Sequence, residues 1–149
     1  MEKGAAGRTR LPPVSRAFRH RLRVRYGECD PQGVVFNANW LAFFDIVITE
    51  LFRERVAGDY KAMLAAGTDM VVAEATVRFL GPARFDDHVD FEATLTRLGT
   101  TAMSTRIEAS VDGNPVASGD IRHVFIDPAA KTKKEIPTAV REGLEALVA

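Results

Sequence analysis

The sequence predicts an α+β domain in which a curved antiparallel sheet of five strands wraps around one long helix. The first observation is a segment from about Trp40 to Val56 that is apolar around most of a helical circumference, so it must be covered on most sides. The second is a set of five segments in which apolar and polar residues alternate, as in strands with one buried face. Short connections between most of them favour antiparallel pairing, and only the long helix is apolar enough to cover the dry face of the sheet.

Size and composition exclude several classes of protein. The chain has 149 residues, 46% of them hydrophobic, which suits a single domain with one core. It contains no run of about 18 apolar residues, so we expect no transmembrane helix and no membrane partner. The single cysteine, Cys29, has no disulfide partner within the chain, which fits a reducing compartment and predicts a cytoplasmic protein.

The 20 basic and 20 acidic residues are unevenly distributed. Residues 1–27 hold eight basic residues and one acidic residue, a net charge of +7, whereas residues 28–149 hold 12 basic and 19 acidic residues, a net charge of −7. Residues 1–16 have no apolar pattern and are predicted to be a flexible tail before one domain, residues 17–149. The arginines that follow alternate with mostly apolar residues, which predicts a solvated strand face rather than a targeting or nucleic-acid-binding segment. These are Arg19, Arg21, Arg23 and Arg25.

The N-terminal half is predicted to contain one strand and two helices. Alternation over residues 18–26 predicts the strand, and glycines and prolines within residues 27–37 predict a loop after it. Asn37 and Asn39 are both suitable N-caps for the long helix. A shorter helix is predicted over residues 59–66.

The C-terminal half is predicted to contain four strands and a final helix. Gly81-Pro82 and Gly99 interrupt the alternation, and Asp112-Gly113-Asn114 is typical of a tight hairpin turn. Pro137 stands at the start of a terminal amphipathic helix over residues 138–148. The strands are predicted over residues 71–79, 88–96, 103–112 and 116–126.

The densest cluster of chemically informative residues joins the first strand to the long helix. A helix N-terminus offers backbone N–H groups without intrahelical acceptors and a partial positive charge, which suit an anion or a polarised carbonyl oxygen. Asp30 lies just ahead of this N-terminus. A carboxylate beside such donors provides the nucleophile or base and the oxyanion stabilisation that acyl transfer requires. Spacing alone also allows Asp30 to be a loop or capping residue, and both interpretations stay open here.

The same segment resembles the motif of the 4-hydroxybenzoyl-CoA thioesterase family, whose members are acyl-CoA thioesterases with the hot-dog fold. The family pattern is an aromatic residue, a short polar stretch, Asp-x-x-Gly-[Val/Ile]-Val, a second aromatic residue, and Asn before an aromatic-rich helix that ends in Thr-Glu. The resemblance, with the order of elements, extends from about Phe18 to the end of the chain. The matching residues are Tyr26, Asp30, Gly33, Val34, Val35, Phe36, Asn39, Trp40, Phe43, Phe44, Thr49 and Glu50.

The resemblance implies a hot-dog fold, with the long helix enclosed by the sheet, and hydrolysis of an acyl-CoA to a free acid and coenzyme A. Asp30 matches the catalytic carboxylate, which either attacks the thioester carbonyl or activates water. The backbone N–H of Asn37 matches the donor that polarises the carbonyl oxygen, and Gly33 lets the backbone approach the acyl group closely. The residues assigned to substrate binding on this basis are Val35, Phe36 and Trp40.

The resemblance also implies an assembly and a coenzyme A contact. Family dimers join edge strands into one sheet with the active site at the interface, so we expect a homodimer or a homotetramer. No cofactor is expected beyond the coenzyme A of the substrate. Some members hold its phosphates with an Arg/Lys-rich segment before the fourth strand. The matching residues 97–102 have one basic residue, so Arg97, Arg106 and Arg84 are the candidates, with solvated surface charge as the alternative.

Other residues are weaker candidates. Glu50 is the second candidate carboxylate, because another thioesterase branch uses a helix glutamate. Cys29 has no histidine spaced to activate it and is predicted to be a packed thiol. No metal site is predicted, because the adjacent side chains of Asp86-Asp87-His88 point in different directions. His20 and His123 lie within predicted strands and are expected to be packed or surface residues.

Two alternative functions use the same fold. A hot-dog module that binds an acyl-CoA or an acyl-carrier protein without catalysis is the first, although such a module need not keep the carboxylate of Asp30. A dehydratase is the second, and it would need an Asp/His pair on a different loop that the sequence does not provide.

Overall fold

The computed structural model describes residues 16–149, so the predicted flexible tail over residues 1–16 lies outside the described residues except for Arg16. The strands are β1 (Phe18–Arg23), β2 (Asp69–Phe79), β3 (His88–Leu98), β4 (Ala102–Val111), β5 (Asn114–Asp127) and β6 (Thr132–Lys133). The helices are α1 (Asn39–Arg55), α2 (Asp59–Ala65) and α3 (Thr138–Leu144), with 3-10 turns at Tyr26–Glu28 and Glu145–Leu147. No helix in this part of the chain is long and apolar enough to cross a membrane.

The five predicted strands form one antiparallel sheet in the order β1-β3-β4-β5-β2. The short β6, which the sequence did not predict, adds to the end of β5. Asp112 and Gly113 both have positive φ, as the predicted hairpin turn between β4 and β5 requires. The sheet curls around α1, which confirms the predicted hot-dog architecture.

Helix α1 packs against the inner face of the sheet through nearly its whole length. At the point of closest approach, a Cβ on Gly119 of β5 would lie 2.4 Å from Cε2 of Phe44, so only glycine fits there. The alternation predicted for β3 and β4 is confirmed, because their apolar sets face α1. The fully buried side chains include Phe43, Phe44, Val47, Phe52, Val89, Phe91, Leu95 and Ile107.

The start of α1 differs from the prediction. Its N-cap is Ala38, and neither predicted asparagine caps it with a side chain. Asn39 is instead the first residue of the helix, and its Nδ2 donates a hydrogen bond to the carbonyl oxygen of Glu28 at 2.8 Å. The side chain therefore ties the helix to the preceding loop.

Strand β2 also differs from the prediction, because neither of its faces is buried within the chain. Val71, Val72 and Phe79 are 43%, 49% and 59% exposed. The strand lies at the edge of the sheet, and its free side has no neighbour among the described residues. Alternation of apolar residues predicts that one face of a strand is covered. It does not tell whether the same chain or another one covers that face.

The first strand ends earlier than predicted, but its charge pattern is confirmed. Tyr26 belongs to a 3-10 turn, is largely exposed and packs edge-to-face on Phe85 at 5.9 Å between ring centroids. The arginines of β1, and Arg25 after it, pair with acids; Arg19 and Arg21 pair with the residues directly opposite them on β3. The pairs are Arg19–Glu92, Arg21–Asp90, Arg23–Asp86 and Arg25–Glu28. The basic stripe is thus a neutralised outer face of the sheet.

Candidate active site

The Asp30 loop, residues 29–35, is closed by a bridge between Cys29 and Val35. Inside it, the backbone N–H of Asp30 donates to the carbonyl oxygen of Val34 at 2.8 Å. Oδ1 of Asp30 accepts the backbone N–H of Gln32, also at 2.8 Å. The carboxyl group of Asp30 is therefore half-buried and held by its own loop, and its second oxygen has no hydrogen-bond partner among residues 16–149.

Gly33 has a φ of +77°, a conformation that side chains rarely adopt. Its N–H donates to the carbonyl oxygen of Asp30 at 2.9 Å. No atom lies within 4 Å of the position that a Cβ would occupy. Within the chain, glycine is therefore required by the backbone conformation rather than by crowding.

The loop is fastened to its surroundings by backbone contacts. The N–H of Val35 donates to the carbonyl oxygen of Ala83 at 2.8 Å, and Val34 forms a bridge with Arg84. The carbonyl oxygen of Glu28 accepts the N–H of Phe36 at 2.9 Å besides the side chain of Asn39. The segment that follows β2 and the start of α1 thus fix the loop from both sides.

Glu28 is a supporting residue that sequence reasoning missed. Its carboxylate accepts the backbone N–H of Arg25 at 2.7 Å and the guanidinium of Arg25 at 2.9 Å. Partial burial opposes ionisation, but the hydrogen bonds and charge of Arg25 outweigh it and lower the pKa of the Glu28 carboxyl. Acidic residues are common three positions after the residue that begins a turn, so nothing in the sequence distinguishes Glu28.

Two residues before α1, the chain presents a backbone donor without an acceptor among residues 16–149. Asn37 is exposed, and its backbone N–H has no acceptor within residues 16–149, whereas its carbonyl oxygen accepts the N–H of Trp40 at 3.3 Å. Among the residues assigned to substrate binding, Phe36 is exposed beside Asn37. Val35, the last residue of the loop, and Trp40 are buried in the core.

The remaining predicted residues do not gather at this loop. Glu50 lies in the middle of α1 and pairs with Arg53. Arg106 points to the outer face of the sheet and makes two hydrogen bonds to Asp120, at 2.9 and 3.1 Å. Arg97 lies at the end of β3 away from the loop.

The two weaker candidates, Cys29 and the Asp86-Asp87-His88 segment, contact neighbouring arginines. Cys29 is half-buried, and its Sγ lies 3.9 Å from the carbonyl oxygen of Arg25. Asp86 and His88 both accept hydrogen bonds from Arg23. The described residues contain no group of three or more ligands arranged to hold a metal ion.

A second concave feature, which we call the His123 cavity, lies between α1, α2, β2 and β5 and has a volume of about 270 Å³. His123 is only 3% exposed, and its Nδ1 is buried without a hydrogen-bond partner among the described residues. The cavity was not predicted, because four elements distant in sequence form it. Its lining residues are Asp45, Ile48, Thr49, Phe52, Tyr60, Met70, Val72 and His123.

Burial sets the charge of the groups around the cavity. It lowers the pKa of His123 to about 4, so the imidazole is neutral at pH 7. It also raises the pKa of the Asp45 carboxyl. The pKa of Tyr60 rises to about 12, through burial and then through its hydrogen bond to Asp69. The cavity thus holds no cation at neutral pH.

The buried imidazole predicts a loss of stability in mild acid. The folded-state pKa of about 4 lies below the ordinary 6.5, so the unfolded chain binds the proton more readily. Its contribution to stability is complete above about pH 6.5 and is lost as the pH falls towards 4. Between pH 7 and 5 we expect a loss of about 2 kcal/mol in the free energy of unfolding, measured by urea denaturation.

A variant separates this contribution from general acid destabilisation. His123→Leu should remove most of the difference between the two pH values. An unaltered pH dependence in His123→Leu would contradict the prediction.

Comparison with known proteins identifies the family. The chain is 27% identical over 124 residues to the acyl-CoA thioester hydrolase YbgC of Escherichia coli O6:H1, covering 83% of this chain and 92% of that protein. It is 27% identical over 133 residues to the 1,4-dihydroxy-2-naphthoyl-CoA hydrolase of Nostoc punctiforme, covering 87% of each. A thioesterase superfamily structure from Jannaschia sp. superposes with a TM-score of 0.83 at 22% identity, covering 93% of this chain and 98% of that one, in agreement with the hot-dog fold.

The family model matches residues 24–144, which include the Asp30 loop, the whole sheet except β1, and all three helices. The thioesterase family and enzyme class predicted from the motif are thereby confirmed. The chain belongs to the thioesterase-like superfamily.

Proposed function

We propose that this protein is an acyl-CoA thioesterase that acts at the Asp30 loop. The observation that carries the proposal is a fixed, half-buried carboxylate next to a helix start where the N–H of Asn37 lacks an acceptor within residues 16–149. The names of the relatives, an acyl-CoA thioester hydrolase and a naphthoyl-CoA hydrolase, support the same chemistry. The unpaired Cys29 supports the cytoplasm as the place of action.

The reaction consumes one water molecule and yields a free acid and the thiol of coenzyme A. The thioester carbonyl oxygen accepts the N–H of Asn37, and the partial positive charge of the α1 N-terminus stabilises the negative charge that develops on it. Asp30 either attacks the carbonyl carbon, which expels the thiolate and leaves a mixed anhydride for water to hydrolyse, or removes a proton from the attacking water. Neither route needs a cofactor.

We also propose that a second copy pairs antiparallel along β2. The support is an 11-residue edge strand with exposed apolar side chains, a surface that proteins rarely leave uncovered. The Asp30 loop packs on residues just after the end of β2, whereas the His123 cavity is lined by Met70 and Val72 near its start. Twofold symmetry would bring the end of one β2 beside the start of the other. The Asp30 loop of one copy would then face the His123 cavity of the other, which would receive the acyl group.

Arg84 is the proposed contact for the coenzyme A phosphates. It forms a bridge with Val34 of the Asp30 loop, and its guanidinium makes no ion pair within the described part of the chain. Arg106 is already paired with Asp120, and Arg97 lies at the far end of β3. Because the domain is acidic overall, a local cation next to the loop is the feature that an anionic substrate requires.

The proposal is tested by thiol release from a panel of short-chain, long-chain and aromatic acyl-CoAs. We expect at least one member to give kcat/KM in the range of 10⁴–10⁸ M⁻¹s⁻¹ that is usual for enzymes. Ligand-dependent increases in melting temperature across the panel without thiol release would refute the enzyme and favour a non-catalytic acyl-CoA-binding module.

A further inference from the structure

Helix α2 lies between two cavities of nearly equal volume. On one side is the His123 cavity, about 270 Å³, which α2 lines through Tyr60. On the other side is a cleft of about 260 Å³ between α2 and α3, which we call the α2–α3 cleft. Space on both sides gives this seven-residue helix room to move. The lining of the cleft includes Ala62, Met63 and Ala66 at α2 and Pro137, Ala139 and Val140 at α3.

Both ends of α2 are joined to the domain through glycines with positive φ. Gly58, just before the helix, has a φ of +77°, and Gly67, two residues after it, has a φ of +92°. Glycine passes between backbone regions without the steric cost that a side chain adds, so the chain can change direction at these positions. The carbonyl oxygen of Gly67 accepts a hydrogen bond from Nζ of Lys134 at 2.9 Å, which anchors the second position. Helix α2 is thus a short element between two hinges.

The observed position of α2 is held by a hydrogen bond from Tyr60. Its hydroxyl donates to Oδ1 of Asp69 at the start of β2, and the same oxygen accepts the backbone N–H of Met70 at 2.7 Å. Burial and then the bond to Asp69 raise the pKa of Tyr60 to about 12, so the hydroxyl keeps its proton at neutral pH. With α2 in this position, His123 lines the cavity but is only 3% exposed. Solvent therefore hardly reaches the imidazole.

We propose that α2 is a lid on the His123 cavity, which opens by moving towards α3 about hinges at Gly58 and Gly67. In the closed position Tyr60 is bonded to Asp69, and in the open position this bond is broken and the cavity admits the acyl part of the substrate. The inference rests on the proposed function for the identity of that occupant, whereas the movement of α2 does not depend on it.

The contacts of α2 allow the two positions to be close in free energy. Opening breaks the hydrogen bond of Tyr60, whose partners then bond to water, so the net loss is small. It also lets Asp59 leave a φ of +60°, a conformation that costs energy in residues other than glycine. In return, Met63 approaches Pro137 and Val140, which removes apolar surface of the α2–α3 cleft from water. An acyl group that binds in the cavity then shifts the population towards the position that admits it.

The test measures access to His123 in the full chain with diethyl pyrocarbonate, which acylates neutral imidazoles. Mass spectrometry of peptides gives the rate at each histidine separately, and the exposed His88 is the internal reference. Tyr60→Phe breaks the bond to Asp69 but keeps the ring, so we expect the rate at His123 to rise about fivefold relative to His88. Ala139→Phe fills the α2–α3 cleft and leaves α2 less room, so we expect the rate at His123 to fall at least about threefold.

Ile107→Val is the control for general loosening of the domain. It shortens a fully buried side chain on β4, outside the lining of the His123 cavity, and it destabilises the fold by about as much as the loss of one hydrogen bond. The rate at His123 should therefore be unchanged in this variant. A rate that is unchanged in Tyr60→Phe, or that rises equally in Ile107→Val, would overturn the inference.

The same experiment separates the lid from the proposed function, because it needs no turnover. Access to His123 that rises in Tyr60→Phe and falls in Ala139→Phe supports the lid even if no acyl-CoA is hydrolysed. Thiol release by a protein in which neither substitution changes access to His123 overturns the lid and leaves the thioesterase proposal intact.

Discussion

Replacing Asp30 by asparagine should lower kcat for acyl-CoA hydrolysis about a thousandfold, because removing a nucleophile or general base typically costs 10²–10⁴ in rate. The amide keeps the shape of the carboxyl group, and its oxygen can still accept the N–H of Gln32. We therefore expect the free energy of unfolding to change by less than about 1 kcal/mol. The two quantities are measured by thiol release and by urea denaturation.

Glu50→Gln is the matched control, since it removes the other candidate carboxylate in the same way. Glu50 is paired with Arg53 in the middle of α1, so its loss should change kcat by less than about threefold. Equal activity of Asp30→Asn and the wild type would refute the role of Asp30. A large loss of kcat in Glu50→Gln together with an active Asp30→Asn would instead identify Glu50 of α1 as the catalytic carboxylate.

In a single turnover in ¹⁸O-labelled water, label in the Asp30 side chain identifies the anhydride route, because the general-base route never places it there. If Asp30 activates water, the label appears in the released acid and never in the protein. If Asp30 forms an anhydride and water then attacks its own carboxyl carbon, the label enters the Asp30 side chain, where mass spectrometry of the peptide detects it.

Much of the fold could be predicted because its determinants are local. Alternation in β3 and β4 reports directly on burial, since Phe91, Leu95 and Ile107 all face α1 as the period requires. Alternation in β2 has the same form, but no part of the described chain covers it. The N-cap predicted for α1 was wrong for a related reason. The side chain of Asn39 contacts Glu28 because of the path that the intervening loop takes, and that path cannot be read from residue spacing.

The candidate site also contains a part that could be predicted from local sequence and a part that could not. Asp30, Gly33 and Asn37 lie within eight residues of one another, so one motif identifies them together. The His123 cavity draws on α1, α2, β2 and β5, and its membership depends on the order of strands in the sheet. The acids that neutralise the arginines of β1 likewise lie on β3 and in the segment before it, 63 to 73 positions later. Spacing along the chain cannot report contacts that arise only from topology.

The second large effect is expected at the exposed edge of the sheet. We expect the wild type to sediment as a dimer or a larger multiple of it, and the double variant Val71→Asp/Phe79→Asp to sediment as a monomer. Each substitution would place a carboxylate without a cationic partner in an edge-to-edge contact, at a cost of several kcal/mol. If one copy supplies the Asp30 loop and the other the His123 cavity, kcat/KM should fall at least a hundredfold with the loss of the dimer.

Leu64→Asp on α2 is the control for Val71→Asp, because Leu64 and Val71 are similarly exposed, at 38% and 43%, and only Val71 lies on β2. Leu64→Asp should keep both the molecular mass in solution and the activity of the wild type. A double variant that stays dimeric would refute pairing along β2. A monomeric variant with full activity would leave the pairing intact and refute the shared site, since each chain would then bring its own Asp30 to its own acyl group.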